Sequence, residues 1–269
     1  NFKFIKCDLL DLDNILTYFK DVDIVFHFAA NADVKDGMKN TKIDIEQNII
    51  ATSNVLDAIK INNIKKVVFS STGAVYGEAE IVPTPENSDF PIQTSLYGTS
   101  KAAAEGLITS YAEAYDLQAW IFRFVSVLGP HYSHGHVYDF VKALNFDNTS
   151  LNVLGDGNQK KSYIHVDDCI NGVMHGIENS NEKINIFNLG SEQSCTVKNS
   201  INWITDQLGV DPRINFKGGK KGWPGDNPNL VLDINKIKKL GWAPKYKIED
   251  GIKDTVDYMK NNPWIFKIK

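Results

Sequence analysis

The run Lys66-Val67-Val68-Phe69 passes without a break into Ser70-Ser71-Thr72 and then Gly73-Ala74-Val75-Tyr76-Gly77. An apolar strand that ends in hydroxyl residues and a glycine turn ties this chain to a sheet with decorated strand ends. In an open parallel sheet, ligands bind just beyond the carboxyl ends of the strands. Hydroxyls there either meet a sugar-like ligand or serve as turn and helix-cap residues. Further along, Ser95-Leu96-Tyr97-Gly98-Thr99-Ser100-Lys101 opens a stretch with apolar residues at Ala103, Leu107, Ile108, Tyr111 and Tyr115. That spacing predicts an amphipathic helix over 97–115. Tyr97 and Lys101 then lie on one face. An ammonium beside a phenol favours the phenolate, so Lys101 is expected to lower the Tyr97 pKa and make it a proton acceptor. A solvated helix face with a half-buried ring is the other reading of the pair.

Composition limits the alternatives. With 269 residues, 42% of them hydrophobic, the chain can bury a substantial core in one or two domains. A net charge of −4 supplies no basic field, so no nucleic-acid partner is expected. No apolar run reaches the length of a membrane span and no signal peptide is visible. Cys7, Cys169 and Cys195 are scattered without metal spacing. Reduced thiols and a cytoplasmic location are expected. His131, His134 and His136 alternate in one loop without supporting cysteines or carboxylates, and no metal is expected.

Taken together, a strand ending in SSTGAVYG and a helix opening with YGTSK resemble the extended short-chain dehydrogenase/reductase family, in its nucleotide-sugar epimerase/dehydratase branch. The resemblance implies an α/β fold: a Rossmann-like doubly wound parallel sheet with a smaller C-terminal α/β substrate domain. Residues 1–128 and 160–192 are expected in the dinucleotide-binding domain, and 129–159 and 193–269 in the nucleotide-sugar-binding domain. NAD is the implied cofactor and Thr72, Tyr97 and Lys101 the implied catalytic residues.

The same resemblance distributes the binding residues. Phe2-Lys3-Phe4-Ile5-Lys6 alternates like a strand and matches the family's third strand, which would set Asp8 and Leu9 beside the adenine. On position alone, Asp8 serves equally as the cap of the next helix. Residues 23–30 read as a buried strand whose end matches the H-x-A-A turn over the cofactor, giving Phe28, Ala29 and Ala30. A helix is expected over 44–61, with Asn48 on the nicotinamide side. Ser70 and Phe124, the latter ending a strand over 118–124, complete the cofactor set with Tyr97 and Lys101. Ser126 stands where the family carries an asparagine against the substrate. His136 and Val137 open a helix at the nucleotide, and Asn152 and Leu154 form the edge that holds the base. Lys161 replaces the arginine that grips the diphosphate, keeping the charge without the two-pronged geometry. Asp226 belongs to an R-x-G-D turn in which Trp223 replaces the arginine. Asp167 and Asp168 are expected to cap a helix over 168–178, with a further strand over 184–190 and a helix over 197–208. Residues 231–242 match the D-x-x-K-x-x-x-x-L-G-W run that closes the second domain.

A dinucleotide fold opens with a strand, a glycine-rich turn, a helix and a second strand. None precedes Asn1, and Gly155-Asp156-Gly157 and Gly218-Gly219 stand in other contexts. About fifty residues of such a unit are expected to be missing, and the chain as written is not expected to hold a dinucleotide tightly. The implied activity is NAD-dependent epimerisation of a UDP-sugar at carbon 4, of the UDP-glucose/UDP-galactose type, in a homodimer built on the helices at 44–61 and 99–115. Uronate epimerases, decarboxylases and dehydratases of the same family are alternatives, as is a non-catalytic binding protein. The dehydratase branch carries Asp-Glu directly after the threonine. Gly73 and Ala74 occupy those positions and cannot transfer a proton.

Overall fold

The computed structural model describes residues 2–89, 92–219 and 229–267. It divides into two compact units, the first being Asn1–Gly77, Pro91–Arg123 and Asn179–Phe187, the second Glu78–Phe90, Phe124–Glu178 and Asn188–Lys269. Residues 160–178 therefore group with the second unit, unlike the expected division.

The first unit is built on four strands in the order β1 (Val25–His27), β2 (Lys66–Thr72), β3 (Gln118–Phe124) and β4 (Ile184–Leu189). β1 pairs parallel with β2, Val25 opposite Val67 and His27 opposite Phe69. Helices α1 (Ala51–Ile61) and α2 (Leu96–Tyr115) cover the sheet. Val55, Leu56 and Ile59 of α1 pack with Ala104, Ile108 and Ala112 of α2 against Val67, Phe69, Ala119 and Ile121. The four-residue spacing of Ala104, Ile108 and Ala112 makes that stripe. Ser95 starts α2 by accepting a hydrogen bond from the Gly98 N–H, and Asp116 ends it in the left-handed conformation.

Three expectations are corrected here. Residues 2–8 form no strand, and Phe2 and Phe4 are exposed. A strand needs a ladder partner, and among the described residues this segment has none. Asp8 closes a turn by accepting the Leu10 N–H at 3.0 Å, while Asp11 caps the helix Leu12–Leu16. The strand expected over 23–30 shortens to β1, with Phe26 and Phe28 about half exposed, because β1 is paired on one side only among the described residues. Finally, the helix over 44–61 begins as a π-helical stretch, Ile45–Ile50, before α1. Such a stretch inserts a residue into the helix and re-aims a side chain, here the buried Asn48.

In the second unit Ser126–Leu128 pairs parallel with Tyr163–His165, and Ser150–Val153 with Arg213–Phe216. Lys160–Lys161 lies between Cys195–Thr196 and Asn229–Leu230. Helices His136–Phe146, Val197–Leu208 and Ile248–Asn261 supply the core through Val137, Val141, Ile201, Ile204, Ile252 and Val256. Asp167 and Asp168 lie within the first turn of Val166–Glu178. Asp168 does not cap this helix: its Oδ2 accepts the backbone N–H of both Lys245 and Tyr246 at 2.9 Å.

One glycine fixes how α2 meets the sheet. A Cβ on Gly98 would lie 2.7 Å from the Ala74 carbonyl oxygen, in the turn that follows Thr72. Alanine is the better helix former by about 1 kcal/mol. Gly98→Ala is nevertheless expected to destabilise the protein, by about 1–3 kcal/mol, because backbone must shift to admit the methyl group. Urea unfolding of the two proteins checks the sign.

Candidate active site

Thr72 ends β2 and begins the short 3₁₀ turn Gly73–Tyr76. Its Oγ1 accepts the Ala74 N–H at 3.1 Å, which leaves the hydroxyl proton to donate. The Tyr97 side chain lies beside it, close enough for the hydroxyl to pull the phenol's pKa down. Tyr97 sits in the first turn of α2 and Lys101 one turn further on. The three expected catalytic residues are thus gathered at the carboxyl end of β2 within one unit.

Their electrostatics differ from the expectation. Burial pushes the Tyr97 phenol up to about 12, against the downward pull of the Thr72 hydrogen bond, and the Asp44 carboxylate adds to the rise. Burial also drives Lys101 down to about 7, opposed by the Glu105 charge. The sequence led us to expect a lysine that lowers the phenol. Instead Lys101 is buried and its Nζ rests 3.9 Å above the centre of the Phe69 ring. Desolvation disfavours the charged form of both groups and outweighs their spacing on the helix.

Two polar networks brace this cluster. In the first, the buried Asn48 amide accepts the Asn31 N–H at 2.8 Å and donates to the Asn31 carbonyl at 3.1 Å and to Ser100 Oγ at 2.9 Å. Ser100 Oγ donates to the Tyr97 carbonyl at 2.8 Å. Asn31 Nδ2 donates to Asp44 Oδ1 at 2.7 Å. Asn48, expected on the nicotinamide side, thus braces loop and helix together. Behind it, Thr52 donates to the Asn48 carbonyl at 2.6 Å and takes the Nε2 proton of His27 at 2.8 Å. His27 is neutral: burial, and then the Lys101 charge, lower it to about 4. In the second network, Glu105 accepts from Ser71 and from Arg123, and Arg123 donates to Tyr76. Sequence reasoning missed Asp44, Glu105 and Arg123 as site residues. The signals were present, since Asp44 and Glu105 stand one helical turn from Asn48 and Lys101, and Arg123 interrupts an otherwise apolar strand.

The other expected contacts divide. Ser70 is half-buried on β2, and Phe28, Ala29 and Ala30 are exposed just after β1. Leu9 packs onto the first unit's core and its carbonyl accepts from Asn54. In the second unit Val137 is wholly buried in the core and cannot present its side chain to a nucleotide. Both ring nitrogens of His136 are engaged, Nε2 with Ser200 Oγ at 2.7 Å and Nδ1 with the Tyr163 hydroxyl at 2.8 Å. Ser126, Asn152 and Leu154 are exposed, and Phe124 and Lys161 are half-buried. Asp226, Trp223 and the rest of 220–228 lie outside the described residues. Among the described residues no group of three or more histidines, cysteines and carboxylates could hold a metal ion.

The model of the NAD dependent epimerase/dehydratase family matches residues 1–190. The chain belongs to that family. It is 33% identical over 270 residues to a putative UDP-glucose 4-epimerase of Methanocaldococcus jannaschii, covering 97% of this chain and 85% of the relative. Among solved structures it is similar to the UDP-glucuronic acid 4-epimerase of Bacillus cereus in complex with UDP-glucuronic acid and NAD, with 28% identity, a TM-score of 0.87 and coverage of 97% and 82% of the two chains. It is also similar to the UDP-N-acetylglucosamine 4-epimerase of Methanobrevibacter ruminantium M1, with 31% identity, a TM-score of 0.83 and coverage of 96% and 83%. The expected α/β fold of helices on a parallel sheet stands, and so does NAD as the cofactor of this nucleotide-sugar epimerase family. The site fits it: the Lys101 ammonium is buried with no ion pair among the described residues, because the Glu105 oxygens go to Ser71 and Arg123.

The two displaced pKa values predict opposite pH slopes in stability. Lys101 binds its proton less readily folded than unfolded, so between about pH 7 and 10.5 unfolding takes up a proton and stability rises with pH. Tyr97 holds its proton more tightly folded, so its contribution falls between about pH 10 and 12. In Lys101→Met the rising limb between pH 7 and 10 should vanish, measured by urea unfolding across that range.

Proposed function

We propose that this chain is a UDP-hexose 4-epimerase of the UDP-glucose/UDP-galactose type. The observation that carries the reading is the meeting of the Thr72 hydroxyl and the Tyr97 phenol at the end of β2, close enough for Thr72 to pull the phenol's pKa down, with Lys101 one helical turn further on. A donor to the phenol oxygen stabilises its anion. Tyr97 is the group that takes the proton from the sugar's 4-hydroxyl, and Thr72 hydrogen-bonds the same hydroxyl and passes its proton on. When bound, NAD supplies reversible acceptance of the hydride from carbon 4. Lys101 supplies positive charge next to the phenol and holds the nicotinamide ribose. Ser70, Phe28, Ala29 and Ala30 line the rest of the cofactor's place. Both Tyr97 and Lys101 must change from their desolvated balance when cofactor and substrate arrive: a phenol at about 12 is protonated at neutral pH, and a lysine at about 7 is only half charged.

Recognition of the nucleotide is assigned to the second unit, through Ser126, Asn152, Leu154 and Lys161. Dehydration is disfavoured because Gly73 and Ala74 follow Thr72. The relatives acting on UDP-glucuronic acid and UDP-N-acetylglucosamine keep those sugars as competing substrates. A homodimer in the cytoplasm belongs to the same reading; no helix among the described residues is long and apolar enough to cross a membrane.

The test is conversion of UDP-galactose to UDP-glucose by the NAD-loaded protein, run in parallel with UDP-glucuronic acid and UDP-N-acetylglucosamine. Tyr97→Phe should lower kcat by about 10²–10⁴-fold, the usual worth of a positioned proton acceptor. Retained turnover in that variant, or none in the wild type with any UDP-hexose, would overturn the proposal and favour a binding protein of the same fold.

A further inference from the structure

Thr72 is gripped on both sides by one buried ion pair. Immediately before it, the Ser71 hydroxyl donates to Glu105. Four residues after it, the Tyr76 hydroxyl accepts from Arg123 Nη1 at 2.7 Å, with the guanidinium 4.8 Å from the centre of the Tyr76 ring. Glu105 and Arg123 join these two ends through a two-pronged contact, Nε to Oε1 at 3.0 Å and Nη2 to Oε2 at 2.7 Å. Ser71, Tyr76 and Glu105 are all buried. Glu105 stands on α2, one turn beyond Lys101 and two beyond Tyr97. A bidentate pair fixes direction as well as distance. Stability alone does not call for such a pair, since well-packed apolar residues often replace a buried ion pair without loss.

We propose that Glu105 and Arg123 are positioning residues whose ion pair clamps the segment from Ser71 to Tyr76 onto the helix bearing Tyr97, so that the Thr72 hydroxyl stays within reach of the phenol oxygen. Neither touches the reacting atoms. Glu105 acts through Ser71, and Arg123 through Tyr76. The inference rests on Thr72 and Tyr97 being the working pair of the proposed reaction.

Two mild substitutions loosen the clamp at either end without breaking the ion pair: Ser71→Ala and Tyr76→Phe. Each is expected to lower kcat by about ten- to a hundredfold, the scale of a small misplacement, with KM for the UDP-hexose unchanged within about twofold if substrate binding is untouched. Ser71→Thr, which restores a hydroxyl, should recover most of the loss. In a Thr72→Val background the effect of Ser71→Ala should largely disappear, because its target is already gone. Full additivity of Ser71→Ala with Thr72→Val, or wild-type kcat in both Ser71→Ala and Tyr76→Phe, would overturn the clamp.

A second readout separates this from failure of the functional reading. The [¹³Cζ]tyrosine resonance of Tyr97, assigned with Tyr97→Phe, reports the Thr72 hydrogen bond whether or not any UDP-hexose turns over. If the clamp holds, Ser71→Ala and Tyr76→Phe both move that signal toward its position in Thr72→Val. If the signal stays where it is in the wild type, the clamp is wrong even in an active enzyme. A wild type inactive on every UDP-hexose, whose Ser71→Ala and Tyr76→Phe variants still show the shift, would sink the functional reading and leave the clamp standing.

Discussion

A lysine ammonium buried against an aromatic ring is costly, and much of this unit is arranged around that cost. Lys101 lies over Phe69, cut off from water, with its charge favoured chiefly by Glu105 one turn away. Taking a charge out of water without a close counter-ion shifts its pKa toward neutrality. The neighbouring phenol suffers the opposite displacement for the same reason. Burial thus leaves the lysine near the midpoint of its titration at neutral pH and the phenol firmly protonated. This balance changes only when charge is brought next to the pair.

The balance depends on geometry supplied from two directions. On one side the π-helical stretch turns Asn48 inward, where it fastens the loop after β1 to Ser100 and so to the Tyr97 backbone. On the other, Glu105 and Arg123 fasten the strand end that carries Thr72. Gly98 lets the helix come close enough for both to act, since no side chain intervenes between it and the Ala74 carbonyl. The first turn of α2 is thus held from the loop, from the strand and by direct contact. All three sets of contacts lie within one compact unit.

The sequence made most of this fold legible where periodicity and capping agreed. The strand beginning at Lys66, the helix expected over 97–115 and the helix at 197–208 all lie within a residue of where pattern put them, and Ser95 supplies the cap of the second. Pattern failed where it needed a partner it could not see. Phe2 to Lys6 alternates like a strand, yet alternation makes no ladder alone. Thr72 was singled out only by the family resemblance, while the helix face that Tyr97 and Lys101 share was legible from their spacing. The direction of their pKa displacement was not, because i,i+4 spacing reports proximity on a helix and says nothing about desolvation. Val137 shows the same gap in the second unit: a motif position put it at the nucleotide, while its side chain is wholly buried in the core. Glu105, one turn from Lys101, and Arg123, a charge within an apolar strand, were each visible in the sequence, but their pairing was not, because an ion pair joining a helix to a strand leaves no local spacing signature.

Transient oxidation at carbon 4 is the claim on which the functional account turns, and isotope tracing reaches it most directly. UDP-galactose bearing deuterium at carbon 4 would be converted by the NAD-loaded protein in ordinary water. The account predicts slowed turnover and UDP-glucose that keeps its deuterium at carbon 4, because the hydride leaves and returns without meeting solvent. Loss of the label to water would show that the hydrogen moves as a proton, and would contradict the roles given to Tyr97 and Thr72.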